Sequence, residues 1–461
     1  MQCYRYRAPW PAARFPWQLA AALVLCYSLV QHAQAAGELK QYVSAPDASY
    51  GWREVGTGHI GSTEYVELIL TSQTWRGTVW KHQLVVLRPA KLDASSKQAF
   101  LFIDGGSWKP EYENGFAGKP PREARIFVQL ANEVRAPVAV VRQVPLEPLF
   151  ERREDALIAY SFDNYLKTGE ADWPLLLPMV KSASRAMDAV QQLAEQRWGI
   201  PIERFTVSGA SKRGWTSWLL AAVEPRVASV APMVIDMLNI PAQIDLQRKT
   251  FGGLSEEIRD YADIQLPERI DSAAGRKLVA IVDPYSYRDS LTEPKLTVLG
   301  TNDPYWPVDA LNVYWNGLPE DKRVLYLPNQ THDLRDLKRL IAGLSAVHRY
   351  SARGLSLPRV SWTFARESQW LDLTVSADRQ PRRVLAWSAS SPTRDFRKAH
   401  WTSHSCERSS ERYLCRERIP RGRYTALYAE AAFTDRGAPG FSLSTLVCLA
   451  GGPEADDRPG C

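Results

Sequence analysis

Short hydrophobic runs alternate with longer amphipathic stretches over about 95–350. The continuous apolar runs at 99–104 and 136–143 are typical of strands buried on both faces of a parallel sheet. Between Leu175 and Gln196 apolar residues recur at helical spacing, and Gly199 follows as a stop signal. Further strands are predicted at the start of 204–223 and over 227–236, 294–300 and 323–328. This alternation predicts an α/β fold with a doubly wound sheet.

The flanks of this region have different patterns. Two β-type runs joined at Arg76-Gly77 predict a hairpin over 63–87, and the polar insertion at 237–293 predicts a cap over the sheet. From Pro358 onward, period-two runs separated by turns predict a small all-β domain over 356–461, arranged as a sandwich. The main domain is then expected at 36–355, with the cap inserted in it.

Residues 1–35 have the pattern of a signal peptide. Arg5, Arg7 and Arg14 precede an apolar run at 19–30, which is followed by Ala33-Gln34-Ala35, a cleavage-site pattern with alanine on both sides of one residue. A membrane anchor is the alternative, but that run is shorter than the ~20 apolar residues of a membrane span. Lipoprotein processing at Cys26 is a second, minor alternative. The sequence therefore predicts an exported protein, periplasmic or secreted.

Charge and cysteine usage agree with export. Removing residues 1–35 lowers the formal net charge from +6 to +3, and no block of like charge suggests a nucleic-acid surface. The four remaining cysteines are Cys406, Cys415, Cys448 and Cys461. Their spacing lacks the C-x-x-C of a zinc site, so two disulfides are expected, with 406–415 and 448–461 favoured among three pairings.

A nucleophile candidate lies in the motif GASKRG at 209–214. Ser211 follows a predicted strand and precedes a predicted helix, and the small residues Gly209 and Ala210 allow the tight turn that exposes a catalytic serine. An ordinary turn is the alternative, because Arg213 stands where such motifs usually have a glycine. The motif therefore indicates a catalytic serine only if the sequence also supplies a base and an acid.

Those partners follow in the expected chain order. Asp303 comes three residues after one predicted strand, and His332 follows the next, which gives the order Ser, Asp, His. Asp309 is the competing acid, and either Asp is also suited to capping a helix. The sequence thus predicts a triad of Ser211, Asp303 and His332.

Candidates for an oxyanion hole are the backbone N–H of Lys212 and the pair Gly105-Gly106 after an earlier strand. A plain Gly-Gly turn remains open as the alternative for the second element. Trp108, Trp215 and Trp306 lie beside these motifs in the sequence and are candidates for lining a cleft, although tryptophan is more often a core residue. No His, Cys and carboxylate cluster suggests a metal, and no cofactor is expected. A glycine pattern at 56–61 is discarded as a dinucleotide site because a strand, not a helix, follows it.

Four segments resemble the PhoPQ-activated pathogenicity-related protein family, in the family's order. They are SFDNYLKTGEADWPLLLPMVKSASRAMDAVQ (161–191), GASKRGW (209–215), VDPYSYRDSLTEPKLTVLGTNDPYWPVD (282–309) and YLPNQTHDL (326–334). The resemblance covers roughly 50–350 and implies an α/β-hydrolase fold with Ser211, Asp303 and His332 in the nucleophile, acid and base positions. Pro307 departs from the family's tendency to an acidic, phenylalanine-rich run, which affects substrate preference more than the triad.

The sequence accordingly predicts an exported serine hydrolase that cleaves an ester or peptide bond of a small substrate through an acyl-enzyme. The alternative is a catalytically silent hydrolase scaffold that acts as a secreted binding or signalling protein. Neither a nucleic-acid partner nor a stable membrane span after signal cleavage is expected. The sequence does not distinguish an ester from an amide substrate.

Overall fold

The computed structural model describes residues 37–93, 95–115, 121–435 and 437–452. The predicted signal peptide at 1–35 lies outside these residues and stays a prediction. Among the helices that are described, none is both long and apolar enough to cross a membrane. A helical segment at 37–44 begins the described chain.

The described ranges contain eighteen strands. In chain order they are β1 Gly51–Ile60, β2 Thr63–Trp75, β3 Thr78–Arg88, β4 Gln98–Ile103, β5 Val138–Val141, β6 Arg204–Ala210, β7 Val227–Met233, β8 Lys295–Gly300, β9 Lys322–Leu327, β10 Val360–Glu367, β11 Trp370–Ala377, β12 Arg383–Ser391, β13 Thr402–Ser405, β14 Glu407–Ser409, β15 Arg412–Arg418, β16 Tyr424–Asp435, β17 Ala438–Ser444 and β18 Cys448–Gly451. The α-helices that follow the 37–44 segment are α1 Ala124–Val134, α2 Glu154–Thr168, α3 Leu176–Trp198, α4 Lys212–Val223, α5 Ile240–Phe251, α6 Arg259–Asp263, α7 Leu266–Arg269, α8 Ala273–Val282 and α9 Leu337–Ala352. Short 3₁₀ segments connect several of them.

The main sheet has the order β1-β2-β3-β5-β4-β6-β7-β8-β9, and it continues into strands of the C-terminal region. The strands from β5 to β9 in this order pair in parallel, whereas β1, β2 and β3 pair antiparallel at one side. The mainly parallel strands explain the continuous apolar runs, because both faces of each strand are covered. Every strand predicted between 95 and 350 is present in this sheet.

Turn and cap residues account for two of the element boundaries. Arg76 and Gly77 both have positive φ, 50° and 77°, which is the backbone conformation of a two-residue hairpin turn. Helix α3 ends at Trp198 and is capped by Gly199, whose φ of 62° places it in the left-handed region and whose N–H bonds back to the last turn. The predicted hairpin and the predicted helix stop are both confirmed.

Hydrophobic cores lie on the two faces of the sheet. In β2, alternate residues Val66 and Leu68 belong to one core, and Tyr65 belongs to the other. Helix α3 packs in the first core, whereas α1 and α9 pack in the second. Helices therefore cover both sheet faces, and the fold is a doubly wound α/β-hydrolase fold.

The C-terminal region is all β, but it is joined to the main sheet. Strand β17 pairs with β9 at Ser444 and Val324, so β16, β12 and β13 extend the main sheet. A second, four-stranded antiparallel sheet of β10, β11, β15 and β14 packs against this extension. Because β9 pairs with β17, the main sheet includes strands from both sides of the boundary predicted at 355/356, and the division into two domains stays a prediction.

Cys406 and Cys415, which are both among the described residues, form a disulfide that joins the residue before β14 to β15. The pairing Cys448–Cys461 stays a prediction, because Cys461 lies outside the described residues.

The insertion at 237–293 contains α5 to α8 and contacts the loop that follows β8. Ser255 Oγ donates to the carbonyl of Pro304 at 2.8 Å, and Gln247 Nε2 donates to that of Tyr305 at 3.1 Å. Because this loop is at the carboxyl end of a parallel strand, the insertion lies at the edge where ligands bind in open α/β sheets.

Candidate active site

Ser211 occupies a strained turn between β6 and α4. Its φ and ψ are 56° and −128°, a conformation that a residue with a side chain rarely adopts. A Cβ atom added to Gly209 would lie 2.6 Å from the carbonyl oxygen of Arg213, and one added to Gly214 would lie 2.7 Å from Ile235 Cγ2. Glycine at both positions therefore lets strand and helix approach closely around the serine.

Arg213, which replaces the usual glycine of such motifs, forms a partly buried ion pair with Glu154. Its guanidinium donates to both carboxylate oxygens of Glu154 at 2.8 and 3.0 Å, and its Nε donates to the carbonyl of Val144 at 2.6 Å. The same guanidinium packs so closely on Gly105 that a Cβ atom there would lie 2.3 Å from it. Arginine is tolerated at this position because the ion pair satisfies its charge.

His332 and Asp303 are directly hydrogen-bonded. His332 Nδ1 lies 2.9 Å from Asp303 Oδ2, and the backbone N–H of Tyr305 donates to Asp303 Oδ1 at 2.9 Å. The ring of Tyr305 stacks on the imidazole with centroids 4.2 Å apart. Two hydrogen bonds and one stacked ring thus fix the orientation of the histidine and its acid.

A cavity at the carboxyl edge of the sheet brings most of the predicted site residues together. Ser211, Lys212, Trp215, Trp306 and His332 all line it. Its volume is about 30 Å³. His332 Nε2 is buried and forms no hydrogen bond within the described chain. This nitrogen is therefore available to a group that enters the cavity.

Four predicted site residues are absent from the lining of this cavity. Asp303 is connected to it through His332, whereas Gly105, Gly106 and Trp108 are absent without such a link among the described residues. Gly105 packs under Arg213, and Gly106 has a φ of 104° that favours glycine. Trp108 stacks edge-on against Tyr112 instead. The structure therefore does not bring Trp108 to the cavity with Trp215 and Trp306.

Sequence reasoning missed the charged side of the cavity. Lys212 Nζ lies 2.9 Å from both Glu154 and Asp155, and Asp155 lines the cavity with it. Burial alone raises the pKa of Glu154, but Arg213 and Lys212 outweigh it and hold the value at about 2. Tyr261 of the insertion donates to Asp155 at 2.9 Å. The adjacent acids at 154 and 155, which open α2, carry no sequence motif that would have identified them.

Two further acids are buried near Asp303. Asp309, the competing acid, binds Arg394 at 2.6 Å, and burial raises its pKa despite that partner. Asp236 accepts a hydrogen bond from Tyr314 at 2.7 Å. Burial, reinforced by the charges of Asp303 and Asp309, raises the pKa of Asp236 to about 8. Its position after the apolar run 227–235 was a sequence signal that could have found it.

The strand–turn–helix around Ser211 and the sheet order define an α/β-hydrolase fold. A family model described as PhoPQ-activated pathogenicity-related protein matches residues 39–397. This chain belongs to that family, as the motifs at 161–334 led us to expect. A relative, the autocrine proliferation repressor protein A of Dictyostelium discoideum, is 31% identical over 392 residues, which cover 78% of this chain and 76% of the relative.

Solved structures similar to this chain include two esterases. Acetyl xylan esterase 1 from Thermoanaerobacterium sp. has 15% identity and a TM-score of 0.46, over 68% of this chain and 93% of that one. A glucuronoyl esterase from Solibacter usitatus has 12% identity and a TM-score of 0.41, over 68% and 91%. At such low identity the chemistry of this chain has to be inferred from its own residues.

Proposed function

We propose that this protein is an exported serine hydrolase that cleaves an ester or amide bond of a small-molecule or peptide substrate through an acyl-enzyme. One observation carries the proposal. Ser211, held on a turn with positive φ, shares a cavity with His332, whose Nδ1 is hydrogen-bonded to Asp303. Nucleophile, base and orienting acid are the three parts that acyl transfer requires.

In the proposed mechanism, Ser211 Oγ attacks the substrate carbonyl while His332 Nε2 accepts its proton. Asp303 keeps the Nδ1 proton of His332 in place, so that Nε2 is the basic nitrogen. The tetrahedral intermediate then collapses, and His332 returns the proton to the departing alcohol or amine. Water attacks the acyl-enzyme by the same route and releases the acid and free Ser211.

The developing oxyanion needs donors on the side of the cavity away from His332. The backbone N–H of Lys212 is the first of helix α4, where N–H groups lack intrahelical acceptors and the helix dipole favours negative charge. We assign the second donor to the Gly105-Gly106 backbone, because β4 pairs in parallel with β6 and Ile103 lies opposite Gly209, so that the turns after both strands lie at the same edge of the sheet. Paired backbone donors are the usual source of oxyanion stabilisation.

Export is supported by the predicted signal peptide and by the Cys406–Cys415 disulfide, since disulfides persist mainly in oxidising compartments. The predicted second bridge, Cys448–Cys461, would add to that evidence.

The alternative is a secreted signalling protein that keeps the hydrolase scaffold without turnover. The name of the Dictyostelium relative, a repressor of proliferation, is the observation that favours it. Fold alone does not decide between a catalyst and a scaffold.

The test is hydrolysis of a panel of aryl esters and peptide amides by wild type, Ser211→Ala and Ser217→Ala. Ser217 is the control, because it lies on the same helix with its hydroxyl bonded to the Arg213 carbonyl. We expect Ser211→Ala to lose activity by a factor on the order of 10⁴–10⁶ at unchanged melting temperature, and Ser217→Ala to keep it. Equal activity of Ser211→Ala and wild type would refute the assignment, and an inert wild type would favour the scaffold.

A further inference from the structure

A second cavity lies beneath the insertion, next to the Ser211 cavity. It has a volume of about 80 Å³. Its walls are hydrophobic side chains of the insertion and of the helices below, among them Phe162, Ile244, Leu254 and Leu278. Among the described residues that line it, none carries a charge. We refer to it as the apolar cavity.

The apolar cavity adjoins the cavity that contains Ser211. Five side chains line both spaces: Trp215, Met237, Ile258, Tyr261 and Trp306. A group attached to a carbonyl carbon at Ser211 therefore lies next to the apolar cavity.

Most polar side-chain atoms in the wall of the apolar cavity form hydrogen bonds within the protein. Trp215 Nε1 donates to the carbonyl of Val282 at 2.5 Å, and the Tyr261 hydroxyl donates to Asp155. The amide nitrogen of Gln243 donates to two main-chain carbonyls. Gln243 Oε1 and Trp306 Nε1 are the unbonded exceptions among the described wall atoms. A hydrocarbon group would thus lose water and meet a nearly apolar surface, which favours its binding.

The position of His332 indicates which part of a substrate enters. His332 lines the Ser211 cavity but is absent from the described lining of the apolar cavity. Because the base must protonate the leaving group, the leaving group has to lie beside His332, and the apolar cavity is then on the acyl side.

We propose that the apolar cavity is an acyl-binding site and that the substrates are esters or amides of short hydrocarbon acids. This inference rests on the proposed function. A cavity of 150 Å³ lined by apolar side chains holds benzene, so about 80 Å³ here, together with about 30 Å³ at Ser211, accommodates roughly four to five carbon atoms. Long acyl chains exceed that space.

The first test compares p-nitrophenyl acetate, butanoate, hexanoate and dodecanoate, which share one leaving group. We expect kcat/KM for butanoate or hexanoate to exceed that for acetate by at least tenfold, on the order of one well-packed methylene contact, and to fall for dodecanoate. Ile244→Phe, which fills the cavity from α5, should lower the hexanoate-to-acetate ratio by about tenfold. Leu246→Phe, on the same helix outside the lining, should leave the ratio unchanged.

The second test measures binding without turnover. Hexanamide should bind Ser211→Ala in titration calorimetry, and binding should be lost on adding Ile244→Phe and kept on adding Leu246→Phe. Equal kcat/KM across the ester series, or hexanamide binding that Ile244→Phe does not weaken, would overturn the acyl site. If wild type hydrolyses no ester, the proposed function fails, and calorimetry alone decides whether the apolar cavity binds a hydrocarbon ligand.

Discussion

Asp303 and the two acids near it, Asp236 and Asp309, are equally buried but have different partners. The three residues are 6%, 3% and 4% exposed. Asp303 bonds to a histidine that opens into the Ser211 cavity, whereas Asp309 bonds to Arg394 and Asp236 to Tyr314. Burial therefore does not identify the candidate catalytic acid. The residue to which the acid is bonded identifies it, because His332 lines the Ser211 cavity.

The largest effects should come from the pair at the cavity. His332→Ala should lower kcat/KM by a factor on the order of 10⁴–10⁶, and Asp303→Asn by about 10³–10⁴, because the histidine loses its fixed tautomer. Steady-state kinetics on the best aryl ester measures both. If Asp303→Asn kept wild-type activity, Asp303 would not be the catalytic acid, and it would not differ in role from Asp236 and Asp309.

Asp309→Asn should affect stability instead of turnover. The substitution removes the charge that neutralises Arg394, whose side chain is mostly buried, so we expect a loss of about 1–3 kcal/mol in the free energy of unfolding. Urea denaturation measures this loss, and kcat/KM at 25 °C should stay within roughly threefold of wild type. A loss of activity as large as that of Asp303→Asn would make Asp309 the better candidate for the acid.

The smallest effect concerns Asp236 and appears as a pH dependence. Its folded-state pKa of about 8 lies above the ordinary 3.8, so the stability that it contributes is complete below about pH 4 and is lost as the pH rises towards 8. Asn at this position does not titrate. The difference in melting temperature, Asp236→Asn minus wild type, should therefore increase from pH 5 to pH 8. A constant difference across this range would mean that Asp236 is ionised throughout.

The sequence was sufficient for the parts of the molecule that depend on local pattern. The parallel strands, the Arg76-Gly77 hairpin and the turn at Ser211 each follow from hydrophobic runs and glycine positions within a few residues. The fold class and the family followed from those patterns and from the motif order. The roles of Ser211, Asp303 and His332 remain a prediction that the Asp303–His332 hydrogen bond supports.

The features of the fold and of the site that the sequence did not predict depend on contacts between residues distant in the chain. The pairing of β9 with β17 rests on one residue pair, Val324 and Ser444, that no local pattern encodes. The partner of Arg213, Glu154, is 59 residues away. Trp108 is a candidate for lining the cleft only because it follows Gly105-Gly106 in the sequence. Its side chain contacts Tyr112, because neighbouring residues in a loop can face different parts of the protein.

Covalent labelling of Ser211 by a fluorophosphonate tests the central claim most directly. Only a serine activated by its surroundings reacts readily with this probe. We predict that peptide mass mapping finds the adduct on Ser211 of the native protein, and that Ser211→Ala and His332→Ala are not labelled. A folded wild type that is not labelled, or an adduct on a different serine, would contradict the assignment of Ser211 as the nucleophile.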